Sequence, residues 1–199
     1  MDKKKGSYLI LFIIVMATYL LIPYGMISRY ETVLHEGNVF RFRPEPVDPY
    51  DAFRGKYIEL NGFNNRILKD TSAARFEAGD NVFVTVKKSA VGYAFFADVS
   101  KTKPETPDYI STKVERVYNG SIHSKGKNEV FIQVPFERYY MNENYADKTE
   151  GAYRDRTRNR DTTDIYLDVR IRNGVSIIEE LYLSGMPAKE FMRQKVQDK

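Results

Sequence analysis

The sequence predicts a mainly β (α+β) protein: an N-terminal transmembrane helix, then an antiparallel small barrel or sandwich carrying one or two short helices. Three observations carry this expectation. Residues 7–27, SYLILFIIVMATYLLIPYGMI, hold no charged side chain. Beyond them, apolar residues recur at every second position in several short runs, as in half-buried strands. Aromatic content is high, with 15 Tyr and 12 Phe, and these residues favour pleated, half-buried surfaces.

About 20 apolar residues suffice to cross a bilayer core as a helix. Ser7–Ile27 meets that length, and Tyr8 and Tyr24 lie near its ends, where amphipathic rings settle at headgroup level. Pro23 falls in the last turns, where a kink costs least. Lys3, Lys4 and Lys5 precede the span and only Arg29 follows closely, so the charge bias places the N-terminus inside and the rest outside. A cleaved signal peptide is the competing reading. It requires a shorter apolar region and a small-residue cleavage site, and Pro23–Ser28 is a poor one. No second span is expected, since Ala90–Ala97 is short and contains Gly92. The chain therefore divides into a basic cytoplasmic stub (1–6), a transmembrane signal anchor (7–27), an extracytoplasmic β-rich domain (28–185) and a charged tail (186–199) that is a frayed helix at most. The anchor makes the lipid bilayer the first partner.

NVFRFR (38–43) alternates with period 2 and is broken by Pro44, Pro46 and Pro49. Lys56–Leu60 resumes the alternation. Residues 61–80 read as loop, with a helical turn around Thr71–Phe76. GDNVFVTVKK (79–88) is a strand with Val82, Val84 and Val86 on one face. YAFFADVS, residues 109–118 and EVFIQVPF (129–136) give three more, with a two-proline loop at 101–108. Residues 142–156 break the pattern; Asn142 suits a helix cap and Glu143 its first turn.

The final hairpin is the clearest feature. Ile165, Leu167, Val169 and Ile171 share one face; Tyr166, Asp168, Arg170 and Arg172 share the other. Asn173-Gly174 signals the turn. A two-residue loop would set Ile171 opposite Ser176 and Leu167 opposite Glu180, mixing the faces. A three-residue loop, Arg172–Gly174, matches the apolar faces instead. The expectation is therefore a type I turn with Gly174 left-handed in a G1 bulge.

Composition excludes several chemistries. With no cysteine there is no disulfide, thiol catalysis or Cys-ligated metal. A net charge of +4, with the basic run Arg154–Arg160 bracketed by acids, lacks the basic footprint of a nucleic-acid binder. His35 and His123 stand in no metal-ligand pattern, and no nucleophile-elbow or phosphate-loop motif is present. Ser124-Lys125 is adjacent in sequence, but neighbours point apart in extended chain, and HSKGKN offers no apolar surroundings to keep the amine neutral. Asp48, Asp51, Asp168, Glu143 and Glu150 read as turn, cap or ion-pair groups. No catalytic residue, cofactor or metal ligand is assigned.

One stretch carries more information: DPYDAFRGKYIEL, residues 48–60. Asp48-Pro49 starts a turn, and Asp51 can accept from backbone N–H groups just beyond it. Ala52-Phe53 makes a short helical turn, and Gly55 suits a positive φ or a close approach. Arg54 either clamps the two aspartates by paired hydrogen bonds or waits for an anionic partner or lipid headgroup.

These residues resemble the GDYXXLXY family, bacterial membrane-anchored proteins. The family stretch follows an N-terminal membrane helix and reads close to PVDPRDLFRGDYVxLxY. Pro46-Val47-Asp48-Pro49, Asp51, Phe53-Arg54-Gly55, Tyr57 and Leu60 match it. Lys56 replaces the family's Asp, and Gly62 its final Tyr. PFERYYMNENYADKTEGAY resembles a second family segment through Tyr139, Tyr140 and Glu143, and DVRIRNGVSIIEELYLSG its closing hairpin. The resemblance implies a bacterial inner-membrane protein with one span and a periplasmic or extracellular domain. It implies no established activity, and family members often accompany multi-pass membrane proteins. Lys56 argues against a catalytic acid there. The expectation is a non-enzymatic accessory subunit whose candidate docking residues are Asp48, Asp51, Arg54, Gly55, Tyr57, Leu60, Tyr140 and Glu143. The alternatives are a cell-envelope hydrolase (Ser–Lys or carboxylate-based) and a small barrel holding a lipid or other ligand.

Overall fold

The computed structural model describes residues 3–43, 57–59, 63–70, 75–119, 127–136, 138–140 and 165–197. Helix α1 runs from Lys3 to Glu36. Strands follow as β1 (Asn38–Phe42), β2 (Tyr57–Glu59), β3 (Arg66–Lys69), β4 (Asn81–Lys88), β5 (Ala94–Ser100), β6 (Tyr109–Tyr118), β7 (Asn128–Ile132), β8 (Arg138–Tyr140), β9 (Ile165–Arg172), β10 (Val175–Leu183) and β11 (Met186–Pro187). Helix α2 closes the chain at Ala188–Gln197. The predicted fold class is the observed one: an apolar N-terminal helix and antiparallel sheets. The predicted helix over 142–156 and most of the turn at Thr71–Phe76 lie outside the described residues.

Three sheets form. One has the order β3-β7-β6-β4-β5, a second β1-β9-β10-β11, and the third is the pair β2-β8. The first curls until its edges meet: Lys69 on β3 pairs with Asp98 on β5 at 2.6 Å. Its interior is filled by side chains, with Val84, Val99, Ile110, Val130 and Ile132 fully buried. The alternation read from 79–88 is confirmed, since Val82, Val84 and Val86 are all buried. The second sheet packs Phe40, Phe42, Ile165, Leu167, Val169, Ile171, Leu181 and Leu183 into the same continuous core. Each such side chain contributes roughly 1.5–3 kcal/mol of transfer free energy, so the two sheets stabilise one another.

The closing hairpin corrects the expected turn. Val175 pairs with Arg172 and Ser176 with Ile171, so the loop has two residues. Asn173 (φ 48°) and Gly174 (φ 86°) are both left-handed, as a type I′ turn requires. That turn matches the right-handed twist of the strands, which a three-residue loop matches less directly. The mixed faces are repaired further along. Between Ile178 and Glu180 the register slips by one residue, leaving Glu179 as the extra residue of a bulge. Beyond it Leu181 faces Leu167 and Leu183 faces Ile165, as the apolar pattern demands.

Gly174 serves a second purpose. It donates its N–H to the Tyr109 carbonyl at 3.0 Å and accepts from the Ser111 N–H at 2.9 Å, and Asn173 donates to the Pro107 carbonyl at 2.8 Å. A Cβ at Gly174 would run into Ser111 Oγ. The turn is thus sewn onto β6.

Three further differences from expectation have simple causes. Residues 66–69 form β3, although four residues in a polar context gave no readable period; β7 supplies the ladder. Residues 186–197 are ordered by tertiary contact: Ser184-Gly185 makes another left-handed pair, β11 returns on β10, and Ala188 and Phe191 of α2 are buried in the core. Helix α1 continues past Ile27 to Glu36 because nothing in SRYETVLHE breaks it; Val33 there is buried, with 3 % exposure.

Candidate functional site

The described part of the family segments converges on one region. Strands β2 and β8 pair antiparallel, and in that register Tyr57 lies directly opposite Tyr140 in backbone position. The two tyrosine-bearing motifs are therefore partners in one short ladder, though 83 positions separate them, from Tyr57 to Tyr140. Asp48, Asp51, Arg54, Gly55, Leu60 and Glu143 lie outside the described residues, as do His123, Ser124, Lys125 and Glu150.

The ladder is tied to the closing hairpin by one side chain. Tyr139 Oη donates to Glu180 Oε1 at 2.6 Å, and the same oxygen accepts from the Leu181 N–H at 3.1 Å. Glu180 is in reach because the bulge at Glu179 turns it onto the face of Asp168. Burial, and secondly the Glu180 carboxylate, push the Tyr139 phenol far above its ordinary pKa, so it is a fixed donor and not an acid near neutrality.

On that outward face a charged and aromatic cluster stands beside Glu180. Arg41 of β1 grips Asp168 of β9 through two hydrogen bonds, Nε to Oδ1 at 2.9 Å and Nη2 to Oδ2 at 3.1 Å. Its guanidinium also lies 4.1 Å from the centre of the Tyr166 ring, which stacks on Tyr182 at 4.4 Å. The Asp168 hydrogen bonds hold Arg41 still more firmly charged. Burial, then Asp168, raise the Tyr182 phenol. Of the turn, cap and ion-pair roles that the sequence leaves open for Asp168, the ion pair is the one it takes. Cation, acid and rings saturate one another, which makes a rigid platform and not a reactive pair.

A different set of cations fastens α1. Arg172 Nη1 donates to the Glu36 carbonyl at 2.9 Å, and its Nη2 pairs with the Glu36 carboxylate at 2.8 Å. Arg170 Nη1 donates to the Gly37 carbonyl at 3.2 Å, while its Nη2 pairs with Glu179. Two guanidinium groups therefore meet the carbonyl end of the helix, where positive charge is favoured. The outward arginines of β9 were legible as a polar face; their helix-capping role was not. His35 is on the helix surface, 3.4 Å from Glu31.

Clefts open on the β-rich body at the barrel seam and at the base of α1. One, of about 330 Å³, lies over the barrel seam between Phe42, Phe63 and Phe96, with Arg43, Arg66, Asn64 and Tyr93 at its rim. Arg43 there lies over the Tyr93 ring and donates to its hydroxyl. The other, of about 360 Å³, separates Tyr30 of α1 from Phe136, Arg138 and Tyr139 on one side and Ser176–Ile178 on the other. Among the described residues no group of three or more His, Asp or Glu is placed to hold a metal ion.

A β-rich body clamped to one long apolar helix is the class of protein that this geometry defines. The sequence model of the GDYXXLXY protein family matches residues 19–181, most of the chain, and the protein belongs to that family. No curated protein and no solved structure matches it.

Proposed function

We propose that this is a single-pass inner-membrane protein, N-terminus inside, which acts without catalysis as an accessory subunit of an integral membrane partner. The observation that supports the reading best is the joint between α1 and the sheet. Helix α1 and the sheet meet at Gly37 with no intervening linker, and Arg170 and Arg172 lock the helix's last turn. A tethered enzyme benefits from reach, whereas a docking subunit benefits from fixed orientation, because pre-ordering lowers the entropy cost of association. The paired motif strands β2 and β8 are fixed to the same body through Tyr139, which makes the region around Tyr57 and Tyr140 the proposed docking surface.

Solubilisation from native membranes in mild detergent tests the proposal. The expected result is a multi-pass membrane protein in stoichiometric amount. Recovery of a lone monomer contradicts it and moves weight to the hydrolase and ligand-carrier readings.

A further inference from the structure

The cleft at the base of α1 has a definite height in the membrane. Ser7–Ile27 at 1.5 Å per residue spans roughly 30 Å, the thickness of the hydrocarbon core. Tyr30 then stands about 4–5 Å beyond it, among the headgroups. Tyr30 is also one wall of the cleft, so the cleft opens where lipid phosphates lie.

Its lining is divided in the same sense as a phospholipid. Pro135, Phe136, Ile177 and Ile178 are apolar, and Arg138 and Ser176 are polar. Arg29, exposed on α1 one residue before Tyr30, adds a second cation at that level. The cleft runs along the outer edge of β10, which among the described residues is covered by β11 only at Tyr182 and Leu183. Tyr30, which α1 contributes to the lining, stands three residues beyond the exposed apolar run that ends at Ile27.

We infer that the cleft between Tyr30 and the Ser176–Ile178 edge of β10 seats the headgroup of an anionic phospholipid. Its phosphate lies towards Arg138 and Arg29, and its acyl chains follow α1 into the bilayer. This assignment is independent of the accessory-subunit reading: a lone monomer would seat the lipid equally well.

The test uses the full chain purified in detergent, native mass spectrometry and a mixture of phosphatidylglycerol and phosphatidylcholine. The expected result is one retained phosphatidylglycerol in clear preference to phosphatidylcholine. Arg138→Gln is expected to weaken that retention about fivefold, the order set by one basic residue near an anionic surface. Ser176→Trp, which fills the cleft while leaving every cation in place, is expected to abolish it. Lys88→Gln, on the far barrel, should change nothing. Equal retention of both lipids by the native chain overturns the inference, as does undiminished retention by Ser176→Trp. Should either variant fail to fold, a photoreactive residue at Tyr30 in the native membrane decides: a lipid adduct supports the site, and a protein adduct assigns the cleft to a partner instead.

Discussion

Arg172 and Glu36 meet twice, guanidinium to backbone carbonyl at 2.9 Å and guanidinium to carboxylate at 2.8 Å. They join the last turn of the long apolar helix to the penultimate long strand, β9. Both side chains are partly exposed, so the ion pair alone stabilises the fold by no more than about 1 kcal/mol. Its effect is on orientation. The chain has no cysteine, so two introduced spin labels, at Ser28 and Lys87, report the helix-to-domain distance cleanly. Arg170→Ala with Arg172→Ala should broaden that distance distribution while shifting the melting temperature little. An unchanged distribution would show that packing at Val33 alone holds the joint.

Gly174 is required twice, by its positive φ and by Ser111. Gly174→Ala is expected to cost about 2–3 kcal/mol, at the upper end of the strain for a side chain in this backbone region. Asn173→Gly should stay within about 1 kcal/mol of the native protein. Thermal unfolding of the full chain in detergent measures both. Equal tolerance of the two changes would contradict the close approach of the turn to β6.

The bulge makes a sharper prediction. Glu179 is one residue too many for the ladder, and removing it would leave Ile178 opposite Val169 and Glu180 opposite Asp168. Deletion of Glu179 should therefore preserve the fold, losing only the exposed Arg170 pair, worth about 1 kcal/mol at most. Deletion of Tyr182 would turn Leu183 out of the core and should abolish folding. Circular dichroism separates the outcomes.

Tyr139 gives the pH dependence. Its pKa is raised in the folded state by burial first and the Glu180 carboxylate second. A raised folded pKa contributes stability that is fully present below the unfolded value of about 10 and is lost as pH rises through the folded value. Stability should fall above about pH 10, and Tyr139→Phe should flatten that part of the profile. At neutral pH the same change should cost about 1–2 kcal/mol, since Glu180 loses a donor. Denaturant unfolding at a series of alkaline pH values measures it; an identical alkaline slope in the variant would count against the assignment.

Arg41 and Asp168 should behave as a unit. Asp168 is nearly buried, at 8 % exposure, while Arg41 is half exposed. Arg41→Ala is expected to cost about 2 kcal/mol, the range for a hydrogen bond to a charged group. In a double-mutant cycle with Asp168→Asn the two losses should not add.

The sequence showed what local periodicity can show. The charge-free run of α1, the Val82-Val84-Val86 face and the Ile165–Ile171 face each declare themselves within a few residues. The hairpin register did not, because a correct apolar match can be reached by a longer loop or by a bulge further along at Glu179, and matching cannot tell them apart. The turn geometry of Asn173-Gly174 decided it. Strand β3 was missed because its partner, β7, is remote in sequence; the C-terminal helix was expected only as a frayed tail, because its docking through Ala188 and Phe191 depends on a core assembled from the whole chain. Tyr57 and Tyr140 were both singled out from motif resemblance, yet nothing local said that they would be paired across one ladder. Arg41 was missed altogether. Only its alternation with Phe40 and Phe42 marked it as outward-facing, and its partner Asp168 lies on another element.

In-membrane crosslinking of the native chain, followed by mass spectrometry of the adducts, tests the proposed accessory role most directly. The expected result is a discrete adduct with one multi-pass protein, made from the β2–β8 region and lost when a flexible Gly-Ser insertion after Gly37 uncouples domain from helix. Scattered adducts of many proteins, or none from the native chain, would contradict it.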